Sequence, residues 1–287
     1  MLLYDLHMHS NASDGVLAPG ALVDLCVDKG IQIMALTDHD TLGGIAEASR
    51  IAADRGVHFI PGAEFTCLWR RQVLHILGLN LDEQDPDLQA YMLELVAVRD
   101  KRAEKIAERL IKKGISADIL DQARTIAGDA SICRPHFAKA LIQGGYVASA
   151  KAAFDVYLGQ GKVGDVKAEW PDPEHVINII HHAGGYAVLA HPTKYNMTFT
   201  RLRLLFGELQ GWQCDAVEVS YPGMNPDQAR ELLKVVKQYE LLVSAGSDFH
   251  SPEFGWTAPG RFPVIDVDDR HLLNKLVVNF NVEVGLS

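Results

Sequence analysis

From Leu2 to His9 the side chains alternate with a period of two. Leu3, Asp5, His7 and His9 fall on one face, and Leu2, Tyr4, Leu6 and Met8 on the other, which predicts a strand. The period then changes. From Pro19 the apolar residues Ala21, Leu22, Leu25 and Cys26 share a helical stripe that ends near Gly30. Ile31–Leu36 is a short, mostly apolar run, as expected of a strand buried on both faces. Thr41 is expected to open a second helix through Ala53, and Val57–Thr66 and Gln72–Leu79 read as two further strands.

The alternation of strand and helix stops at about Leu88. Leu88–Lys113 reads as one long amphipathic helix, Ser116 is expected to cap another, and Arg134–Gln143 as a third ends at Gly144-Gly145. After Pro171 the alternation resumes, with strands expected at Tyr186–Ala190, Asp215–Val219 and Leu241–Ala245. The pattern predicts an α/β fold. Residues 1–88 and 168–287 would form a barrel, and residues 89–167 a helical insertion. Repeated βα units bury their strands most simply by closing into one parallel barrel.

Composition narrows the function classes. The 287 residues are 48% hydrophobic and 22% charged, ordinary for a chain that buries a core, and the formal charge is −10. An acidic chain is a poor binder of long nucleic acid through a broad basic face, though a local cationic pocket can still take a small anion. No apolar run approaches the ~20 residues that span a bilayer, and the start lacks a basic region followed by an apolar stretch. Cys26, Cys67, Cys133 and Cys214 are widely spaced, without a Cys-x-x-Cys pair. A reduced, cytoplasmic protein without membrane contact is the simplest expectation.

The candidate chemistry lies at the carboxyl ends of the expected strands. His7 and His9 end the first, Thr37-Asp38-His39-Asp40 follows the second, and Glu64 lies at the end of the third. His75 lies within the fourth, His191 ends the fifth, and Ser247-Asp248-Phe249-His250 ends the last. That rim is where βα barrels build active sites. Six histidines gathered with carboxylates would repel one another or suffer desolvation unless something compensates them. Divalent cations do so by neutralising carboxylates and taking imidazole lone pairs. The number of donors calls for two or three ions. The mixture suits manganese, zinc or iron better than calcium.

His7-Met8-His9-Ser10, Thr37-Asp38-His39, Pro61-Gly62-Ala63-Glu64, His75, His191-Pro192 and Ser247-Asp248-Phe249-His250 resemble, in order and spacing, the motifs of the PHP (polymerase and histidinol phosphatase) family. The resemblance implies a distorted (β/α)7 barrel with a helical insertion and up to three divalent ions, manganese foremost. It implies that His7, His9, Glu64 and Asp248 hold one ion, and that Glu64 bridges to a second held by His75 and His191. Asp14, His39 and His250 would hold a third, with Asp14 standing where some branches of the family carry His.

Within the insertion, Ser131-Ile132-Cys133-Arg134-Pro135-His136 and Phe154-Asp155-Val156-Tyr157-Leu158-Gly159 are similar to the 3′,5′-nucleoside bisphosphate phosphatase and 5′-3′ exoribonuclease subgroup. The resemblance implies a phosphoesterase that removes the 3′-phosphate of such nucleotides and trims short RNA from its 5′ end. A histidinol phosphate phosphatase and a non-catalytic, metal-stabilised accessory domain are the alternatives.

The residues support part of this on their own account. Arg99 shares a helical stripe with Ala103, Ile106 and Leu110, with Arg102 beside it, and a cation facing inward needs an anion. Arg134 opens a helix, where free N–H groups also favour phosphate. Arg99, Arg102, Arg134 and His136 are therefore the candidate substrate contacts. Asp40 and His191 are the candidate proton donors to the leaving oxygen, the nucleophile being an activated water. The bland reading is that Arg99 and Arg102 pair with acidic residues. Gly159-Gln160-Gly161-Lys162-Val163-Gly164 matches a dinucleotide motif, but it follows a helix, so it reads as a loop closing the insertion.

Overall fold

A computed structural model describes residues 2–253, 255–265 and 270–277 of the chain. Among these, seven strands pair in chain order: β1 (Tyr4–Asp5), β2 (Ile33–Leu36), β3 (His58–Trp69), β4 (Gln72–Leu79), β5 (Tyr186–Leu189), β6 (Ala216–Ser220) and β7 (Leu242–Ala245). Beyond β1 and β7 the backbone nearly closes the ring. Met8 bridges Phe249 in parallel, the His9 N–H donates to the Phe249 carbonyl at 2.9 Å, and the Asp248 N–H donates to the His7 carbonyl at 2.8 Å. The fold is a mixed α/β, seven-stranded, nearly closed barrel.

The expectation of an all-parallel barrel is corrected. β4 runs antiparallel to both β3 and β5, while the other pairs are parallel. Only Arg70 and Arg71 separate Trp69 from Gln72, and so short a turn can join only antiparallel strands. The reversal matters for the site. Because β4 runs the other way, the rim is met by its beginning, and His75, paired with Thr66 of β3, is carried there.

Two helix starts also differ from expectation. The second helix, α2 (Ile45–Arg55), begins after Gly43-Gly44, because the Thr41 Oγ1 accepts from the Gly43 N–H and closes a turn instead. The first, α1 (Pro19–Asp28), starts where expected, at a proline whose fixed φ suits a first turn. In the insertion, α4 (Ile119–Ala127) follows Asp118 rather than Ser116, whose N–H donates to the Tyr146 hydroxyl at 2.9 Å.

The long helix α3 (Pro86–Ile111) belongs to two cores. Its first half places Leu88, Tyr91, Met92 and Leu95 in the barrel's outer core. Its second half places Ala103, Ile106 and Leu110 in a separate cluster with Phe137 and Leu141 of α5 (Arg134–Gln143) and Leu158. Burying each such leucine or phenylalanine contributes about 2 kcal/mol. Arg99 is buried at the crossing point between the two clusters. No helix of the described residues is long and apolar enough to cross a membrane.

Candidate metal centre

The alternation seen in the first strand sends His7 and His9 to one side, and their Nε2 atoms lie 3.1 Å apart. Glu64 Oε2 faces both, at 3.4 Å from His7 Nε2 and 3.3 Å from His9 Nε2. Asp248 Oδ1 closes the group at 3.5 and 3.3 Å from the same two atoms. These are the edges of a coordination polyhedron: donors on a tetrahedron with bonds of ~2.1 Å stand ~3.4 Å apart. A second group joins Glu64 to His75 and His39, with His75 Nδ1 3.0 Å from Glu64 Oε1 and His39 Nδ1 3.0 Å from Glu64 Oε2. His191 Nε2 also reaches Glu64 Oε1, at 3.1 Å. A third gathers His9, Asp14, His39 and His250, with His250 Nε2 3.2 Å from Asp14 Oδ1. Within each group the donor atoms all lie within 4.8 Å of one another.

All nine residues expected to hold metal therefore lie in one connected site. The grouping differs in detail from the expectation, because His39 stands between Glu64 and Asp14 and so serves two groups, and His9 likewise adjoins two.

The donor set fits divalent ions. His9 Nδ1, Asp14 Oδ1, His39 Nδ1, Glu64 Oε2 and His191 Nδ1 are buried and make no hydrogen bond of good geometry, a costly arrangement if nothing bound there. Protonation answers the same conflict. Burial alone would lower the His7 pKa, but the Glu218, Glu64 and Asp248 carboxylates raise it well above the ordinary value. Burial likewise opposes charge on His250, yet Asp14 above all raises its pKa to about 10. Burial keeps His39 and His191 below the ordinary value, with lone pairs available. Against burial, their histidine neighbours hold Glu64, Asp14 and Asp248 well below the carboxylate range.

The backbone is strained where the site needs it. Asp40 (φ 50°), His191 (φ 30°) and Asp248 (φ 50°) are non-glycine residues in the left-handed region, all at the ends of strands facing the site. At Gly246 a Cβ would stand 2.4 Å from the Cβ of His7, so only glycine lets the first and last strands approach this closely.

Above the donors opens a cavity of about 610 Å³ between barrel and insertion. Its lining includes six cations, Arg71, Arg99, Arg102, Arg134, Lys167 and Lys194, against the carboxylates of Asp14 and Asp165. Arg99 is mostly engaged by protein: its Nε and Nη2 donate to Asp40 Oδ2, and its Nη1 donates to Cys133 Sγ at 3.0 Å. Asp40 in turn accepts from the Thr66 N–H at 2.7 Å and the Thr66 hydroxyl at 2.8 Å. Arg102 and Arg134 each donate to one carbonyl, of Val166 at 3.1 Å and Leu158 at 3.3 Å, leaving donors for a ligand. His136 is not in the lining. Its Nδ1 accepts from the Cys133 N–H at 3.0 Å and caps α5.

A model of the PHP domain matches residues 5–158. The chain belongs to the PHP family. The 5′-3′ exoribonuclease of Haemophilus influenzae is 43% identical over 258 residues, covering 90% of this chain and 93% of that one. The 3′,5′-nucleoside bisphosphate phosphatase of Chromobacterium violaceum is 36% identical over 251 residues, covering 88% of each. The solved structure of an amidohydrolase from Chromobacterium violaceum, with bound sulfate and no metal, superposes with a TM-score of 0.87 at 34% identity and covers 95% of both chains. Family and donor set together make this PHP protein a metal-dependent phosphoesterase.

Two residues of the PHP site, Glu218 and Lys194, escaped the sequence reading, and Asp38, quoted there only within a motif, has a role of its own. Glu218 is fully buried beneath the donors, where its Oε1 lies 3.1 Å from His7 Nδ1 and its Oε2 accepts from the His191 N–H at 2.8 Å. A glutamate inside the apolar strand Ala216–Ser220 was the available signal. Asp38 accepts from the Ser10 N–H at 2.7 Å and from the Ser10 and Ser13 hydroxyls at 2.6 Å, holding the loop that carries Asp14. Lys194 Nζ lies 2.5 Å from Asp248 Oδ2, and nothing in the local sequence marks it.

Proposed function

We propose that this enzyme removes the 3′-phosphate of 3′,5′-nucleoside bisphosphates and, by the same chemistry, trims RNA from its 5′ end. The carrying observation is the cavity: Asp14, His39, His75 and His191 of the donor groups line its floor, and a wall of cations rises above them. A phosphomonoester alone would need only the floor. A second phosphate on the same nucleotide gives the insertion wall its anion. The names of the Haemophilus and Chromobacterium relatives, one an exoribonuclease and one a bisphosphate phosphatase, support both activities. The two reactions are one: each cleaves the bond at the 3′-phosphate of a nucleotide bearing a 5′-phosphate, and they differ in what else that phosphate carries.

His7, His9, Asp14, His39, Glu64, His75, His191, Asp248 and His250 would hold the ions, manganese first among them. Bound there, such ions supply Lewis acidity and activate water near neutral pH. The protein's own groups do the rest. Glu218 orients His7 so that its Nε2 points into the site. Arg102 and Arg134 take the 5′-phosphate, each with donors to spare. Arg99 acts at one remove, pinning the insertion to the barrel through Asp40. Asp40, with Thr66 and Arg99 on its oxygens, serves that clamp. His191, beside Glu64 and with its pKa held low by burial, serves as a ligand rather than as the proton donor to the leaving oxygen. Histidinol phosphate is disfavoured by the same wall, since its cationic amine would face cations. A non-catalytic role leaves the cation wall unexplained.

The test is phosphate release from 3′,5′-adenosine bisphosphate and nucleotide release from 5′-phosphorylated RNA, with manganese-loaded protein of verified metal content. Both are expected. Release from neither would refute the reading.

A further inference from the structure

The cavity has two walls. On the insertion side stand Arg102, Arg134 and Lys167; on the barrel side stand Lys194, Asn196 and Arg71. If the 5′-phosphate of the first nucleotide lies against the insertion and its 3′-phosphate on the metal floor, the chain beyond that phosphate must leave along the barrel side.

That side continues outward as a cationic ledge. Arg71 lines the cavity, is exposed, and its side chain has no partner among the described residues. It sits at the tip of the β3–β4 hairpin beside Arg70. Across the tip lies Arg201, in the first turn of the helix Phe199–Gly211. Arg70 and Arg201 both stack on the buried Trp69 ring, at 4.9 and 5.4 Å from its centroid. Glu208 fixes the platform, accepting from the Trp69 indole N–H and from Arg70, each at 2.5 Å. Arg201 is exposed and, like Arg71, makes no ion pair among the described residues. In a chain of 37 acidic and 27 basic residues, a platform-held Arg201 and a neighbouring cavity-lining Arg71, both left without a carboxylate among the described residues, point to an external anion.

We propose that the hairpin tip and the start of this helix, through Arg71 and Arg201, bind the phosphates of RNA downstream of the cleaved bond. This rests on the function proposed above. It makes the ledge the feature that distinguishes an RNA strand from a free bisphosphate, which ends at the metal floor and never reaches Arg71.

Two measurements test it on the full-length protein carrying Arg71→Gln with Arg201→Gln. Binding of 5′-phosphorylated hexauridylate to metal-free protein is followed by fluorescence anisotropy against salt. Each lost phosphate contact lowers the log–log slope by ~0.7, so the double variant's slope should fall by ~1.4, and Arg71→Lys with Arg201→Lys should restore it. With manganese, the ratio of kcat/KM for the hexamer to that for 3′,5′-uridine bisphosphate should fall about tenfold. No detectable hexamer binding by the wild-type protein, an unchanged slope, or an unchanged ratio overturns the ledge. Wild-type protein that binds RNA with the expected slope but cleaves neither substrate refutes the function proposed above and leaves the ledge as an RNA-binding surface.

Discussion

His7 Nδ1 rests 3.1 Å from Glu218 Oε1, with both side chains fully buried, so the imidazole is gripped from below while its Nε2 faces Glu64 and Asp248. The same glutamate accepts from the backbone N–H of His191. Outer partners of this kind set ligand tautomer and orientation, and their loss commonly weakens metal binding ~10- to 100-fold. Glu218→Gln should therefore lower manganese affinity by that order while the protein stays folded. Metal titration by calorimetry, with circular dichroism alongside, checks it. Affinity equal to wild type would mean that Glu218 only fills space.

The Arg99–Asp40 pair predicts a stability effect. Both groups are buried, and Arg99 sits where α3 passes from one hydrophobic cluster to the other. Removing one partner of a buried pair strands the other charge, at about 3–5 kcal/mol. Arg99→Met and Asp40→Asn should each lower the denaturation midpoint strongly, and the double variant should lose less than the sum of the two. Additive losses in urea unfolding would show that the two residues are not coupled.

Gly246 leads to a sharper expectation. A methyl group at this position would collide with the Cβ, N and Cα of His7 at 2.4, 2.7 and 3.0 Å. Backbone atoms of a barrel strand yield little, so Gly246→Ala should displace His7 and cost most of the bound metal and of the phosphatase activity. Elemental analysis of purified protein reads the metal directly. A full metal complement in this variant would contradict the geometry.

His136 gives a pH dependence. Burial, above all, holds its pKa below the ordinary value of 6.5, so the folded state carries it neutral where the unfolded chain already takes up a proton. Below about pH 6.5 the unfolded chain thus binds more protons, and stability falls as pH falls until the folded-state pKa is reached. His136→Gln keeps an acceptor for the Cys133 N–H, as in a capping box, but removes the titration. The variant's melting temperature should decline less than that of wild type between pH 7 and pH 5.5. Parallel declines would assign the loss to other groups.

Much of the site was legible in the sequence because strand alternation is a local rule. His7 and His9, two residues apart, must share a face whatever the rest of the chain does. The insertion's long helix was visible from its apolar stripe, expected at Leu88–Lys113 and found at Pro86–Ile111. The reversal of β4 was harder to see, although the gap between Thr66 and Gln72, too short for a crossover helix, carried the signal.

The sequence by itself determined which donors this protein owns, where the strands and helices that carry them run, and that an inward-facing Arg99 needs an anion. Only the tertiary structure decided that this anion is Asp40, 59 residues away, that Glu218 lies beneath His7, 211 residues on, and that His39 stands between two ligand groups. The physical reason is range. Periodicity and turn chemistry act between neighbours along the chain. A buried charge takes whichever partner the closed barrel brings to it, and no local pattern records that choice.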